Sequence, residues 1–295
     1  MRKAVIDLGT NTFNLLIVQV NEGEIQVLHN EKEGVALGMG GINNQMISPK
    51  ALDRALNALK RFKRVCENHE VSLIKAIGTS AIRDAKNAAD FLKIVKVNVG
   101  IDIEIVSGHR EAELIYKGIA ASHDFNAHSL IMDIGGGSTE FISASQLGIH
   151  DMISMNIGVS RIFQLFDLSD PLTATDVTQI EKWLDIQAGT FFENRNENVL
   201  IGASGSFETF YELIHNEQFS EKNKSIEISV DHLTEILEQI ISSTQEERDR
   251  NQWIIPIRKK MAPIAAVKTR WVLRQIPVIQ VFISPYSLKE GVIFE

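Results

Sequence analysis

AVIDLGTNTFNLLI at residues 4–17 and IMDIGGGSTEF at residues 131–141 are two statements of one pattern. In each, a short apolar strand ends in an acid (Asp7, Asp133), turns through glycines and hydroxyls, and returns as a second apolar strand. The shared form is Asp-apolar-Gly-x-x-Ser/Thr-x-polar-apolar. Such a turn presents backbone N–H groups and one carboxylate at its tip, the ingredients of a phosphate cradle with a metal-binding acid. A single small-residue turn is as readily a tight hairpin that needs positive φ; two matched copies are harder to explain that way. The echo runs on, with Asn21-Glu22-Gly23 after the first returning strand and Gln146-Leu147-Gly148 after the second. The simplest reading is an α/β chain of two duplicated halves facing one cleft.

Working outward, the first half reads as strands at Ala4–Leu8, Asn14–Val20 and Glu24–His29, then a loop rich in Gly34, Gly38, Gly40 and Gly41. Ser48 as N-cap and Pro49 at the first helical position open a helix whose apolar residues recur at 52, 55, 56, 59, 62, 65 and 66. A strand at Leu73–Ile77, a helix through Arg83, a strand at Ile101–Val106 and a helix over Gly108–Ile119 complete a βββαβαβα order. The second half repeats it. Strands fall at Leu130–Ile134, Glu140–Ala144 and His150–Met155, with helices at Val159–Phe166 and Asp176–Ala188. A strand at Val199–Ile201 enters the turn Gly202-Ala203-Ser204-Gly205-Ser206 and a helix over Phe207–Ile214. The polar segment His215–Ser225 reads as a surface loop, followed by a helix at His232–Ser242 and a last strand at Val278–Ile283.

With 295 residues and 44% hydrophobic content, the chain has material for two cores. No run approaches the length of a membrane span, and Met1-Arg2-Lys3 leads straight into a strand, so a cytoplasmic enzyme with no membrane partner is expected. The lone Cys66 sits on the apolar stripe of its helix and reads as core; the histidines show no ligand spacing. A net charge of −8 argues against a nucleic-acid polymer as partner. Yet from Arg250 to Lys289 there is no acid, only Arg250, Arg258, Lys259, Lys260, Lys268, Arg270, Arg274 and Lys289. These are either solvated helix faces or a patch that guides an extended polyanion.

The segments quoted, together with IGTSAIRDA (77–85), VSGHREAELIYKGI (106–119), IGVSRIF (157–163), IGASGSFETF (201–210) and SPYSLKEGVIFE (284–295), resemble the exopolyphosphatase and guanosine pentaphosphate phosphatase (Ppx/GppA) family. The resemblance implies the actin, sugar-kinase and Hsp70 superfold: two duplicated ribonuclease H-like domains, 1–120 and 121–295, flanking a central cleft that closes about a hinge near Ala120. Longer family members carry a C-terminal helical extension of the HD type, so this chain resembles a short form with less hold on long polymers.

Cleaving a phosphoanhydride needs a cradle for spectator oxygens, a divalent cation, and a base that orients water. Gly9, Thr10 and Asn11, with Asn14, and Gly135, Gly136, Gly137, Ser138 and Thr139 are the phosphate-binding candidates. Asp7 and Asp133 are candidates to hold magnesium or manganese; alternatively each caps its own turn. Glu140 reaches the same metal or water, or is a sheet glutamate paired elsewhere. Ser204, Gly205 and Ser206 form a strand-to-helix turn suited to an anion. The resemblance makes Glu111 the catalytic base and Arg83 a phosphate-binding arginine. Capping explains Glu111 poorly, because the capping-box position after Ser107 is held by Arg110, where the family more often has an acid. That arginine either lowers the Glu111 pKa or adds a phosphate contact. The expected activity is release of terminal phosphate from inorganic polyphosphate, or from guanosine pentaphosphate. The other readings are a kinase-like phosphotransferase and a sensor that binds an alarmone or polyphosphate without turnover. An isologous homodimer is the default assembly.

Overall fold

Alternating and continuous apolar runs set the strands, and the helices between them cover the sheet faces. The computed structural model describes residues 1–21, 24–219 and 223–295; Glu22-Gly23 of the expected echo and residues 220–222 of the polar segment lie outside them. The chain divides into two compact units, Met1–Glu111 with Glu295, and Ala112–Phe294.

In the first unit β1 (Arg2–Leu8), β2 (Thr12–Asn21) and β3 (Glu24–Gly34) form an antiparallel meander. α1 (Pro49–Asn68), β4 (Leu73–Gly78), α2 (Ser80–Arg83), α3 (Ala88–Val99), β5 (Ile103–Ile105) and α4 (Gly108–Ala120) follow, the division between units falling inside α4. The sheet order is β3-β2-β1-β4-β5, with β1, β4 and β5 parallel. Ser48 caps α1 as expected, its hydroxyl accepting from the Ala51 amide at 3.3 Å, with Pro49 in the first turn. Ile6, Leu8, Phe13 and Leu15 pack against Leu59, Phe62 and Phe91 in one core. Cys66 is part of it, its thiol pushed up to about 11 by burial, as befits a core residue and not a nucleophile.

The second unit continues with β6 (Ser129–Ile134), β7 (Thr139–Ser145), β8 (Gly148–Met155), α5 (Val159–Leu165), α6 (Ala174–Ala188), β9 (Val199–Ala203) and α7 (Gly205–His215). It ends with β10 (Ile226–Ile228), α8 (Val230–Ser242), α9 (Gln245–Arg250), α10 (Pro256–Lys259), α11 (Ala262–Gln275), β11 (Gln280–Ile283) and α12 (Leu288–Ile293). Its sheet reads β10-β11-β9-β6-β7-β8, so that β8-β7-β6-β9-β11 repeats the order of the first sheet and β10 is an addition at the edge. Even the irregularities match. The β2/β3 ladder slips between Ile17 and Val18, and the β7/β8 ladder between Ser143 and Ala144, at the same distance past the leading Asp in each copy. These are two ribonuclease H-like units of one duplicated design.

The structure adds elements to which the sequence reading assigned nothing, among them α3, β10, α9, α10, α11 and α12. α3, whose Val- and Asn-bearing second half has weak helix propensity, carries no helical signal in the sequence reading; Gly100, in the left-handed region at φ 73°, closes it. α11 had shown only its cations, yet ten of its fourteen residues are buried. A helix apolar on nearly every side has no stripe to betray its period. The polar segment expected as surface loop also begins later than thought: α7 runs through His215, and Phe219 is buried against Tyr211. Among the described residues no helix is long and apolar enough to cross a membrane.

Candidate active site

In a sheet with parallel strands, loops leaving the carboxyl ends gather the ligand-binding groups. In the first unit Asp7 lies near the end of β1, directly opposite Asn14 on β2, and the Asn14 Nδ2 donates to Asp7 Oδ2 at 2.8 Å. The Gly9 amide donates to the Thr12 carbonyl at 3.1 Å, and a Cβ on Gly9 would sit 2.8 Å from that oxygen, so only glycine makes this turn. The carbonyl edge of the turn is tied back. Thr10 O accepts from the Gly38 amide at 3.0 Å, and Asn11 O from Val35 and Ala36 at 2.9 and 2.8 Å. Since the C=O and N–H of one peptide unit point in opposite directions, the amides of Asn11 and Thr12 are aimed the other way.

The exit of β4 is tied to the same strand tip: the amide and hydroxyl of Thr79 both donate to Leu8 O, at 3.4 and 3.2 Å. One turn on, Arg83 binds Glu111 at 2.6 Å and the Val106 carbonyl at 3.3 Å, with Asp84 at 3.7 Å. Ser107 caps α4 through the Arg110 amide at 3.1 Å, so the buried Glu111 carboxylate is not spent on the helix end and faces the guanidinium. Arg110 pairs with Glu295.

The second unit shows the same construction. The Gly135, Gly136 and Gly137 carbonyls accept from Val159, Ser160 and Gly158 at 3.1, 2.8 and 3.2 Å, and the buried Arg161 adds an Nε bond to Gly137 O at 2.7 Å. The amides of Gly136, Gly137 and Ser138 therefore point away from α5, and among the described residues they donate to no protein acceptor. Asp133 is directly opposite Glu140, and Glu140 opposite Ser154, whose hydroxyl donates to it at 2.7 Å. Asp133 thus shares a sheet face with a second carboxylate where Asp7 has an amide. Burial pushes the Asp133 carboxyl up to about 6, against the pull of a hydrogen bond from Ser287 and of Lys268.

Ser204 opens α7 with φ 78° and ψ 174°, a strained conformation for a residue with a Cβ. Its hydroxyl does not cap α7; it donates to Ile134 O at 3.0 Å and so ties the β9 exit to the β6 loop. The Arg258 guanidinium lies against Gly205, where a Cβ would be 1.7 Å from Nη2, and is held by Thr209 at 3.0 Å and Glu208 at 3.3 Å.

Three neighbours escaped the sequence reading. Ser287, which donates to Asp133, is announced by the S-x-x-E capping box it forms with Glu290 ahead of α12. α12 is seated by close backbone approach: a Cβ on Gly118 of α4 would lie 2.0 Å from Ser287 O, and one on Gly291 1.8 Å from Leu114 O. Arg258 was counted among the acid-free cations. Lys268 was too, although it is wholly buried, with its Nζ 2.5 Å from Thr139 Oγ1 and 2.6 Å from Ile157 O. Burial lowers its pKa to about 7, with Glu140 and Asp133 acting the other way.

Most of the cations of residues 250–289, expected either on solvated helix faces or as a polyanion guide, meet acids once the chain folds around them. Arg250 pairs with Glu246, Arg258 with Glu208, Arg270 with Glu181 and Glu238, Arg274 with Glu181, and Lys289 with Glu290. Lys259 donates to the Asp249 carbonyl. The stretch lacks acids in sequence but not in space, and paired cations present little net field to a passing anion.

The sequence profile of the Ppx/GppA phosphatase family matches residues 16–295. Among solved structures, an exopolyphosphatase from Cytophaga hutchinsonii ATCC 33406 is 36% identical, with 100% of this chain and 97% of that one covered and a TM-score of 0.96. A Ppx/GppA enzyme from Aquifex aeolicus shares the fold at 24% identity, with 100% and 99% covered and a TM-score of 0.81. An exopolyphosphatase-like protein, also 24% identical, covers 99% of this chain and 96% of its own, with a TM-score of 0.90.

Proposed function

Since this chain belongs to the Ppx/GppA phosphatase family, we propose that it is a phosphoanhydride hydrolase that releases terminal phosphate from inorganic polyphosphate. The observation that carries this reading is the pair of strand-end turns whose carbonyls are tied back while their amides face outward, once in each unit. Amides so arranged bind phosphate oxygens without reorganising. Glu111 is the water-activating base, and Arg83, at 2.6 Å, both orients it and meets substrate oxygens. Gly9, Thr10, Asn11, Gly135, Gly136, Gly137 and Ser138 supply the cradles, and Thr139 anchors the second from within.

The acids fit a small hard cation. In the second unit Asp133 and Glu140 offer carboxylate oxygens with hydroxyls close by, in the first Asp7 offers one beside the Asn14 amide, and among the described residues no cluster of three or more His, Cys, Asp or Glu forms a full cage. Magnesium, which keeps most of its water and takes one or two carboxylates, suits such a donor set; manganese is the alternative. When bound it neutralises charge on the phosphoanhydride. Stripping divalent ions with a chelator is expected to lower phosphate release by about a hundredfold or more, with recovery on adding magnesium. Undiminished release in chelator would remove the metal from the reading.

Substrate is decided by assaying phosphate release from polyphosphates of graded length beside guanosine pentaphosphate and ATP. Release from polyphosphate at the highest kcat/KM is expected. Preference for the nucleotide would move the assignment to guanosine pentaphosphate, transfer to an added acceptor without hydrolysis would make it a kinase-like enzyme, and binding with no turnover would make it a sensor.

A further inference from the structure

Lys268 is a wholly buried ammonium, and among the described residues no carboxylate lies within ion-pair distance of it. Its two partners are a hydroxyl and a carbonyl, Thr139 Oγ1 and Ile157 O. Burying a cation on such partners costs stability, and a Met or Leu on this helix would fill the same space more cheaply. Fold stability therefore gives no reason for a lysine among the buried Val267, Trp271 and Val272.

What Lys268 touches supplies the reason. Thr139 ends the Gly135–Ser138 turn and begins β7. Ile157 immediately precedes Gly158, whose amide, with those of Val159 and Ser160, ties back the turn's carbonyls. One ammonium thus fastens the two sides of the clamp that aims the amides of Gly136, Gly137 and Ser138. The two copies of the design differ at this point: Asp7 faces the neutral Asn14, whereas Asp133 faces Glu140, a like charge directly across the ladder. The second copy has two carboxylates behind a turn read as binding anions, and Lys268 is the buried basic group beside them.

We propose that Lys268 is a positioning residue of the second phosphate turn, holding its amide edge in the anion-binding form and offsetting the Asp133–Glu140 pair from inside the core. The proposal rests on the phosphohydrolase reading for the identity of the anion. It assigns the residue an effect on anion affinity and none on the chemical step.

The test uses the full chain and its Lys268→Met variant, with tripolyphosphate as substrate and inorganic phosphate as competitor, each also measured by calorimetric titration. Lys268→Met is expected to raise KM, the phosphate inhibition constant and both dissociation constants together by about tenfold, the loss of one charged-group hydrogen-bond set. kcat is expected to stay within about threefold, and the melting temperature to stay level or rise. Unchanged affinities at any melting temperature would overturn the proposal, as would a loss confined to kcat. Should Lys268→Met not fold, Thr139→Val, which removes the hydroxyl Lys268 holds, is read in the same way and must weaken phosphate binding. The calorimetric arm separates the two readings: wild-type protein that binds tripolyphosphate without cleaving it defeats the hydrolase assignment and leaves the role of Lys268 to be judged on affinity alone.

Discussion

Glu111→Gln is expected to lower kcat for phosphate release by about 10²–10⁴-fold, the usual contribution of a positioned general base. KM is expected to change little and the melting temperature by about 3 °C at most, since a loss of about 1 kcal/mol moves a chain of this size by no more. Gln has the shape of Glu and still offers Arg83 an oxygen at the 2.6 Å position, while Asp84 at 3.7 Å keeps a negative charge beside the guanidinium. What it lacks is the lone pair able to take a proton from water. The split between kcat and stability matters because a buried carboxylate facing an arginine is also what a purely structural ion pair looks like. A structural Glu111 would give the opposite result, a lowered melting temperature with proportionate activity in the fraction still folded. Wild-type kcat in a folded Gln variant would retire Glu111 as the base.

Much of this arrangement was legible in the sequence because it is local and repeated. The strand-Asp-glycine turn-strand pattern needs only neighbours along the chain, and both copies fold as read, down to the matched ladder slip after each. Asp7 with Asn14, and Asp133 with Glu140, follow from the same period-2 register. Long-range placements were not legible. Arg83 and Glu111 lie on different helices, and their ion pair is set by how α2 and α4 leave adjacent parallel strands. Lys268 reaches Thr139 from α11, a helix whose apolar character on nearly every side erased its period and left its charges as the visible feature. The acid partners of those charges were not legible for a related reason. Sequence shows which residues are near along the chain, whereas Glu181, Glu208 and Glu238 come to the same cations from α6, α7 and α8.

Gly158→Ala is expected to disable the second phosphate turn without touching any proposed catalytic side chain. Gly158 has φ −61° and ψ 155°, which any residue adopts, so the demand for glycine is one of space. A Cβ there would lie 2.2 Å from Gly136 O, 2.3 Å from Gly136 C and 2.4 Å from Gly137 C. These are backbone atoms with no rotamer to turn away. Relief requires the 135–137 segment to withdraw, which breaks the bonds from Gly158, Val159 and Ser160 that aim its amides. Overpacking of this kind costs about 1–3 kcal/mol, lowering the melting temperature by roughly 3–10 °C. The larger effect falls on substrate: with the amide edge displaced by more than hydrogen-bond tolerance, kcat/KM is expected to drop by about a hundredfold or more, as when preorganised donors are lost. Because the turn is the element common to binding and turnover, KM should rise here, where Glu111→Gln leaves it alone. A Gly158→Ala protein with wild-type kcat/KM would mean that the turn tolerates withdrawal, and that phosphate is held by side chains and not by this backbone.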